Sequence, residues 1–257
     1  MQRYVADLHV HTLLSPCAAV EMTPRHIMLY AKEYGLDILA ITDHNVSANV
    51  LPAVELGARY GIVVWPGVEV ESSEGAHIVV LFDSLAKLNV WQSVLDANMT
   101  ELKNNAEKFG GQFVVDAEDE FIREETRLLL APTGLSAQAI VDEVGKIGGV
   151  CIAAHIDRPA HSLLSYFGFI PPELALGAVE LSRNSLSELA GGKYDKMVNK
   201  LPYLTNSDAH SMEDFIRGPK NHLFMQEPTI EEFLLAAQSK QGRYIQAGKF
   251  FNIDREI

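Results

Sequence analysis

Short apolar runs alternate with helix-spaced segments over most of the chain. The run "YVADLHV" predicts a first strand, and "TPRHIMLYAKEYG" a helix with Thr23 as N-cap, Pro24 at its first position and Gly35 beyond its end. "LDILAIT" predicts a second strand. "ANVLPAVELGARYG" predicts a second helix, stopped by Gly61. "IVVWPGVEV" and "HIVVLF" predict two further strands. After a more polar stretch, "SAQAIVDEVGKIGG" is a helix with Ser136 as N-cap, and "GVCIAAH", "GAVELS" and "LPYLTNSDAH" are strands. "NHLFM" and "TIEEFLLAAQSK" supply a last strand and helix. Repeated strand–helix units predict a parallel sheet. The count is near seven, one unit short of a full (β/α) barrel.

The polar stretch from Leu85 to Pro132 interrupts the alternation. "LNVWQSVLDANMTELKNNAEKFG" has helical spacing, and "DAEDEFIREETR" predicts a solvated helix or lid. Residues 1–257 are therefore expected to form one barrel domain with a helical insertion at about 85–132.

The strand ends carry chemistry. Asp7, His9 and His11 alternate and so share one face. "TDHN" gives Asp43 and His44, "GVEVES" gives Glu69, and His77 opens "HIVVLF". "GVCIAA" ends at His155, "GAVELS" carries Glu180, and "NSDAH" carries Asp208 and His210. A lone histidine on a strand is usually a core or surface residue. Repetition of one topological position is different, because the C-terminal strand ends of a barrel meet in one pocket. Imidazoles and carboxylates meeting there suit zinc, manganese or iron. His26, His161 and His222 lie off the pattern and keep the ordinary surface or core reading.

The ordered set "DLHVHT", "ITDHN", "GVEVES", "AAH" and "NSDAH" resembles the polymerase and histidinol phosphatase (PHP) domain family. The resemblance implies a distorted (β/α)7 barrel with two or three divalent ions (Zn, Fe or Mn) at its mouth. It implies that His9, His11 and Asp208 hold the first ion and that Glu69 bridges it to a second, completed by His77 and His155. His44 and His210 would hold a third with the residue at position 17. Many members have histidine there, and this chain has Cys17. A thiolate suits zinc or iron better than manganese; the other reading is a small side chain beside an empty or weak third site. Cys151 sits in an apolar strand and reads as core. Asp7 and Asp43 are expected to accept an imidazole N–H and fix its tautomer, though Asp43 could instead reach a metal. Glu180 has no counterpart among the family's standard ligands.

Such a cluster suits phosphate-ester hydrolysis. A water made hydroxide at the Glu69 and Asp208 position would attack phosphorus, with no Ser or Cys nucleophile. Neither a G-x-S-x-G elbow nor a P-loop is present. Arg158, in "HIDRP", and Arg183 and Asn184, in "LSRNS", are candidates to hold the substrate phosphate. The expected substrate is a small phosphorylated metabolite or nucleotide. The alternatives are a non-catalytic metal-binding regulatory or scaffold module, and an exonuclease-type phosphodiesterase.

The composition narrows this reading. The 257 residues are 47% hydrophobic, enough for a large core. The formal net charge of -13 predicts no long nucleic-acid partner. Two cysteines and an opening "MQRYVADLHVH" without a signal h-region predict a cytoplasmic setting, and no apolar run reaches membrane-spanning length. Oligomeric state is not readable from these patterns.

Overall fold

The structure is a computed structural model that describes residues 1–185 and 192–249. Its strands are β1 (Gln2–Val10), β2 (Ile38–Ile41), β3 (Val63–Glu71), β4 (His77–Leu81), β5 (Phe113–Val115), β6 (Phe121–Glu124), β7 (Val150–Ala153), β8 (Ala178–Glu180), β9 (Tyr203–Leu204), β10 (Lys220–Met225) and β11 (Tyr244–Lys249). Its helices are α1 (Pro24–Glu33), α2 (Val50–Tyr60), α3 (Leu85–Asp96), α4 (Ala106–Phe109), α5 (Ala137–Ile147), α6 (Leu163–Phe167), α7 (Met212–Arg217) and α8 (Ile230–Ala237). The expected caps are in place: Thr23 accepts from His26 N, Ser136 accepts from Ala139 N, and Gly61 ends α2 at φ 75°.

Nine strands form one sheet in the order β11-β10-β1-β2-β3-β4-β7-β8-β9. The sheet curls into a nearly closed barrel, and Gly248 N of β11 reaches Thr205 Oγ1 just beyond β9 at 2.7 Å. The expectation of a parallel sheet holds for β1-β2-β3 and β7-β8-β9. It fails for β4, antiparallel to both β3 and β7, and for β10, antiparallel to β1 and β11. The five residues Ser72–Ala76 between β3 and β4 are too short for a crossover helix, so the chain must fold back as a hairpin. This reversal brings the first residue of β4, His77, to the end of the barrel where β1, β3 and β8 finish.

Alternation along the strands divides the core. Val68, Val70, Ile78 and Val80 face Ile27 and Met28 of α1, Leu56 of α2, Trp91 of α3 and Ile140 of α5. Trp65, Val79, Leu81, Ile152 and Leu223 fill the other face, inside the barrel, and Phe233 of α8 packs with them. On β3, Glu69 and Glu71 share the parity of Trp65 and so point inward.

The polar stretch differs from expectation. Helix α3 stops at Asp96, only four residues of the following segment are helical, and the charged run supplies the turn and second strand of the hairpin β5–β6. Asp116 explains the turn, since its Oδ1 accepts the backbone N–H groups of Glu118 and Glu120 and offers the chain an alternative to a helix. The stretch is fastened to the barrel by Asn45 Nδ2, which donates to Leu129 O and Ala131 O.

Candidate metal centre

Glu69 lies at the middle of a histidine cage. It is 1% exposed and projects inward near the end of β3. His9 Nε2 stands 3.2 Å from its Oε1, His77 Nδ1 3.0 Å and His155 Nε2 3.2 Å. On the other oxygen, His44 Nδ1 lies at 3.0 Å and His11 Nε2 at 3.4 Å. Asp208 Oδ1 is 3.4 Å from both His9 Nε2 and His11 Nε2. Burial pushes the Glu69 carboxyl up, but the surrounding histidines, His77 first, hold it well below the usual carboxylate range. Burial depresses His9, while Glu180, Glu69 and Asp208 outweigh it and raise that imidazole well above its ordinary value. The pocket therefore favours positive charge beside Glu69.

The donors fit divalent ions. Ligands of one tetrahedral ion with bonds of about 2.0–2.1 Å stand about 3.4 Å apart. His9 and His11 stand 3.2 Å from each other and 3.2–3.4 Å from Glu69 and Asp208. Glu69 Oε2 is buried and, although His44 Nδ1 stands 3.0 Å away, makes no well-directed hydrogen bond, an arrangement costly without a further ligand. His9, His11 and Asp208 form one group able to hold an ion; His44, Glu69 and His77 form another; His11, His44 and His210 a third. Cys17 lies beside His44 and His210. Its surroundings raise its pKa by burial, but the two imidazoles prevail and lower it to about 6.

Backbone geometry helps to aim these groups. His155 and Asp208 adopt φ of 26° and 47° at the strand ends, conformations that cost an L-residue about 1–3 kcal/mol. Asp208 N donates to His9 O at 3.0 Å, which ties the two donor-bearing segments together.

The PHP domain model matches residues 7–168, the segment that carries every expected donor except Asp208 and His210. This chain belongs to the PHP domain family. The uncharacterized protein YqxK of Bacillus subtilis (strain 168) is 26% identical over 280 residues, 96% of this chain and 65% of YqxK. The PolC-type DNA polymerase III of Caldanaerobacter subterraneus is 25% identical over 217 residues, 74% of this chain and 15% of the polymerase. Among solved structures, the lesion-specific endonuclease Q of Pyrococcus furiosus superimposes with a TM-score of 0.66 at 18% identity, covering 95% of this chain and 58% of that protein. A second endonuclease Q structure, with the same score and coverage, holds a 27-mer duplex with an abasic lesion at its active site. This chain thus spans about two thirds or less of the length of these relatives.

That duplex overturns the exclusion of long nucleic acid drawn from net charge. Endonuclease Q, which shares this fold over 58% of its length, holds a duplex at its active site. Total charge is a poor guide because cations at a mouth reverse the local field, and formal counts omit them.

The remaining residues of this PHP domain divide as follows. Asp7 meets no imidazole. Its Oδ1 accepts Ser207 N at 3.1 Å and its Oδ2 pairs with the buried Lys220 Nζ at 2.8 Å. It lies too deep along β1 to reach His9, so it steadies the segment that presents Asp208. Asp43 likewise accepts from Thr12 N, Thr12 Oγ1 and Ser15 Oγ, and reaches His11 only through Ser15, whose Oγ is 3.0 Å from His11 Nδ1. The carboxylate on an imidazole is Glu180, with both oxygens 3.1 Å from His9 Nδ1. Arg158 pairs through Nη2 with Asp208 Oδ2 and stands at the centre's edge. Arg183 pairs with Asp214 of α7, and Asn184 is exposed on the single turn Arg183–Ser185; neither is brought to the donors by the described contacts. Cys151 is buried in the core as expected. Sequence reasoning passed over Glu71 and set His161 aside. Both stand beside His77. Glu71 was legible by alternation, two positions after Glu69. No helix of the described residues is long and apolar enough to cross a membrane.

Proposed function

We propose that this PHP domain is a metal-dependent phosphoesterase. The observation that carries the reading is the convergence of five histidines, His9, His11, His44, His77 and His155, on Glu69 and Asp208 at ion-ligand spacing. His9, His11 and Asp208 would hold one ion, Glu69 would bridge to a second held with His77 and His155, and His44, His210 and Cys17 would hold a third. Bound zinc-, iron- or manganese-class ions lower the pKa of water toward ~7 and neutralise charge on phosphoryl oxygens. Glu180 accepts the Nδ1 proton of His9 and so leaves the Nε2 lone pair facing the centre. Arg158 uses one N–H on Asp208 and offers its others to a phosphoryl oxygen, the bidentate geometry that guanidinium provides.

Two substrate classes fit this centre. A small phosphorylated metabolite or nucleotide needs only the pocket described. A nucleic-acid phosphodiester is supported by the likeness to endonuclease Q and by the match to the PolC-type polymerase. The test is hydrolysis of phosphomonoesters, cyclic diesters, single-stranded oligonucleotides and abasic duplexes by protein reconstituted with each metal, with Asp208→Asn alongside. Activity on one class, absent from the variant, names the bond. No turnover of any class with any of the three metals would replace the enzyme reading with a metal-binding regulatory or scaffold module.

A further inference from the structure

The hairpin β3–β4 carries donors outside the set assigned above. Glu71 and His77 are directly opposed in register. Glu71 is fixed from its backbone: its N–H donates to Asn45 Oδ1 at 3.0 Å, and its carbonyl accepts from Thr133 N and Thr133 Oγ1. His77 turns Nδ1 to Glu69 at 3.0 Å and Nε2 to Glu71 Oε2 at 3.7 Å. His161 arrives from the loop after β7 with φ 57°, and its carbonyl accepts the His77 N–H at 3.0 Å. Its Nδ1 is 3.4 Å from Glu71 Oε1, and the two imidazole rings are 4.8 Å apart.

The spacing separates two readings. An N–H···O hydrogen bond spans about 2.7–3.2 Å. Separations of 3.4 and 3.7 Å are too long for that. They are close to the ~3.4 Å between two ligands of one tetrahedral ion. Two histidines and a carboxylate also make a familiar zinc donor set, with a position left for water.

We propose that Glu71, His77 and His161 form an outer divalent-cation seat, through which an ion enters the centre. The proposal rests on the metal-centre reading above. A neutral imidazole has one lone pair, so His77 serves either the Glu69 side or the outer seat at a given moment. The seats are therefore alternatives, and the outer one is a loading position. It opens to solvent, since the His161 side chain is 53% exposed while His155 and Glu69 are each 1% exposed. A buried metal site needs such an entry path.

The test is zinc uptake by the metal-stripped full chain, followed by stopped flow with a chromophoric zinc indicator, with final stoichiometry measured by elemental analysis. His161→Ala is the main variant because its side chain is largely exposed, and Glu71→Gln is the second. The expected result is uptake slowed about tenfold in both, with unchanged final stoichiometry. Uptake at the wild-type rate in His161→Ala overturns the proposal. So does a lower final stoichiometry in that variant, which would make His161 a permanent ligand. The assay contains no substrate, so tight zinc binding without phosphoester hydrolysis removes the proposed activity alone. A wild-type chain that binds no zinc removes both readings.

Discussion

Glu180→Gln changes one atom and should loosen the whole centre. The carboxylate has three neighbours to satisfy: both oxygens face His9 Nδ1 at 3.1 Å, Oε2 accepts Asn206 Nδ2 at 2.6 Å, and Oε1 faces His155 N at 3.3 Å. All of these neighbours can be donors. A glutamine supplies one oxygen and one NH2, so its amide must turn a donor toward either Asn206 or His155. A buried donor left without an acceptor costs about 1–3 kcal/mol. His9 also loses the charge that makes it a better ligand. Removing such an outer carboxylate typically lowers metal affinity 10–100-fold, or about 1.4–2.8 kcal/mol. Competition for zinc against a chromophoric chelator measures this directly, after circular dichroism has shown that the variant is folded. An affinity within about twofold of wild type would refute the reasoning, because Glu180 would then not act on His9.

Three further outcomes follow from the same contacts. Lys220→Met leaves Asp7 buried without its cation, so urea unfolding should show a loss of about 3–5 kcal/mol, recovered only in part when Asp7→Leu is added because Ser207 N then loses its acceptor. In metal-stripped protein at pH 7, Cys17, with its pKa lowered to about 6, should react readily with iodoacetamide, and zinc should protect it. Cys151, whose thiol is pushed up by burial, should stay unmodified in the same mass spectrum. Burial raises the Glu125 carboxyl, but Arg127 prevails and holds it at about 2, below its ordinary 4.5. A carboxylate depressed on folding stabilises above its unfolded value, so this contribution is complete above pH 4.5 and disappears as pH falls toward 2. Melting curves across that window should converge for wild type and Glu125→Gln at the acid end and separate above it.

The sequence carried the parts of the centre that depend on local order. The candidate donors at 9 and 11 follow from strand alternation, and those at 44, 155, 208 and 210 from their place at strand ends. The direction of β4 was also legible, since Ser72–Ala76 leaves no room for a helix, but a count of apolar runs does not register link length. The hairpin β5–β6 was hidden because its strand residues Phe121 and Ile122 are both exposed among charges, so no buried face marks them. The roles of Asp7, Asp43 and Glu180 were not readable. Each is set by a partner 28–200 positions away, and spacing along the chain says nothing about which carboxylate meets which imidazole. Net charge misled for a related reason: it sums over a surface and a substrate meets one mouth.

The reversed strand β4 also bears on the order in which the centre assembles. Glu69 and His77 are eight positions apart and are joined by a tight hairpin, whereas His9 and Glu180 are separated by 171 positions. Closing the longer loop costs about 2.7 kcal/mol more chain entropy than the shorter one. Hairpins of this length form in microseconds, while pairings distant in sequence come late. A nascent chain would therefore present Glu69, Glu71 and His77 as a small preformed half-site, and His9, His155 and Asp208 would join it only as the barrel closes. An ion captured by the half-site would gain its remaining ligands at that step, so its binding energy would be added to the last and slowest stage of folding.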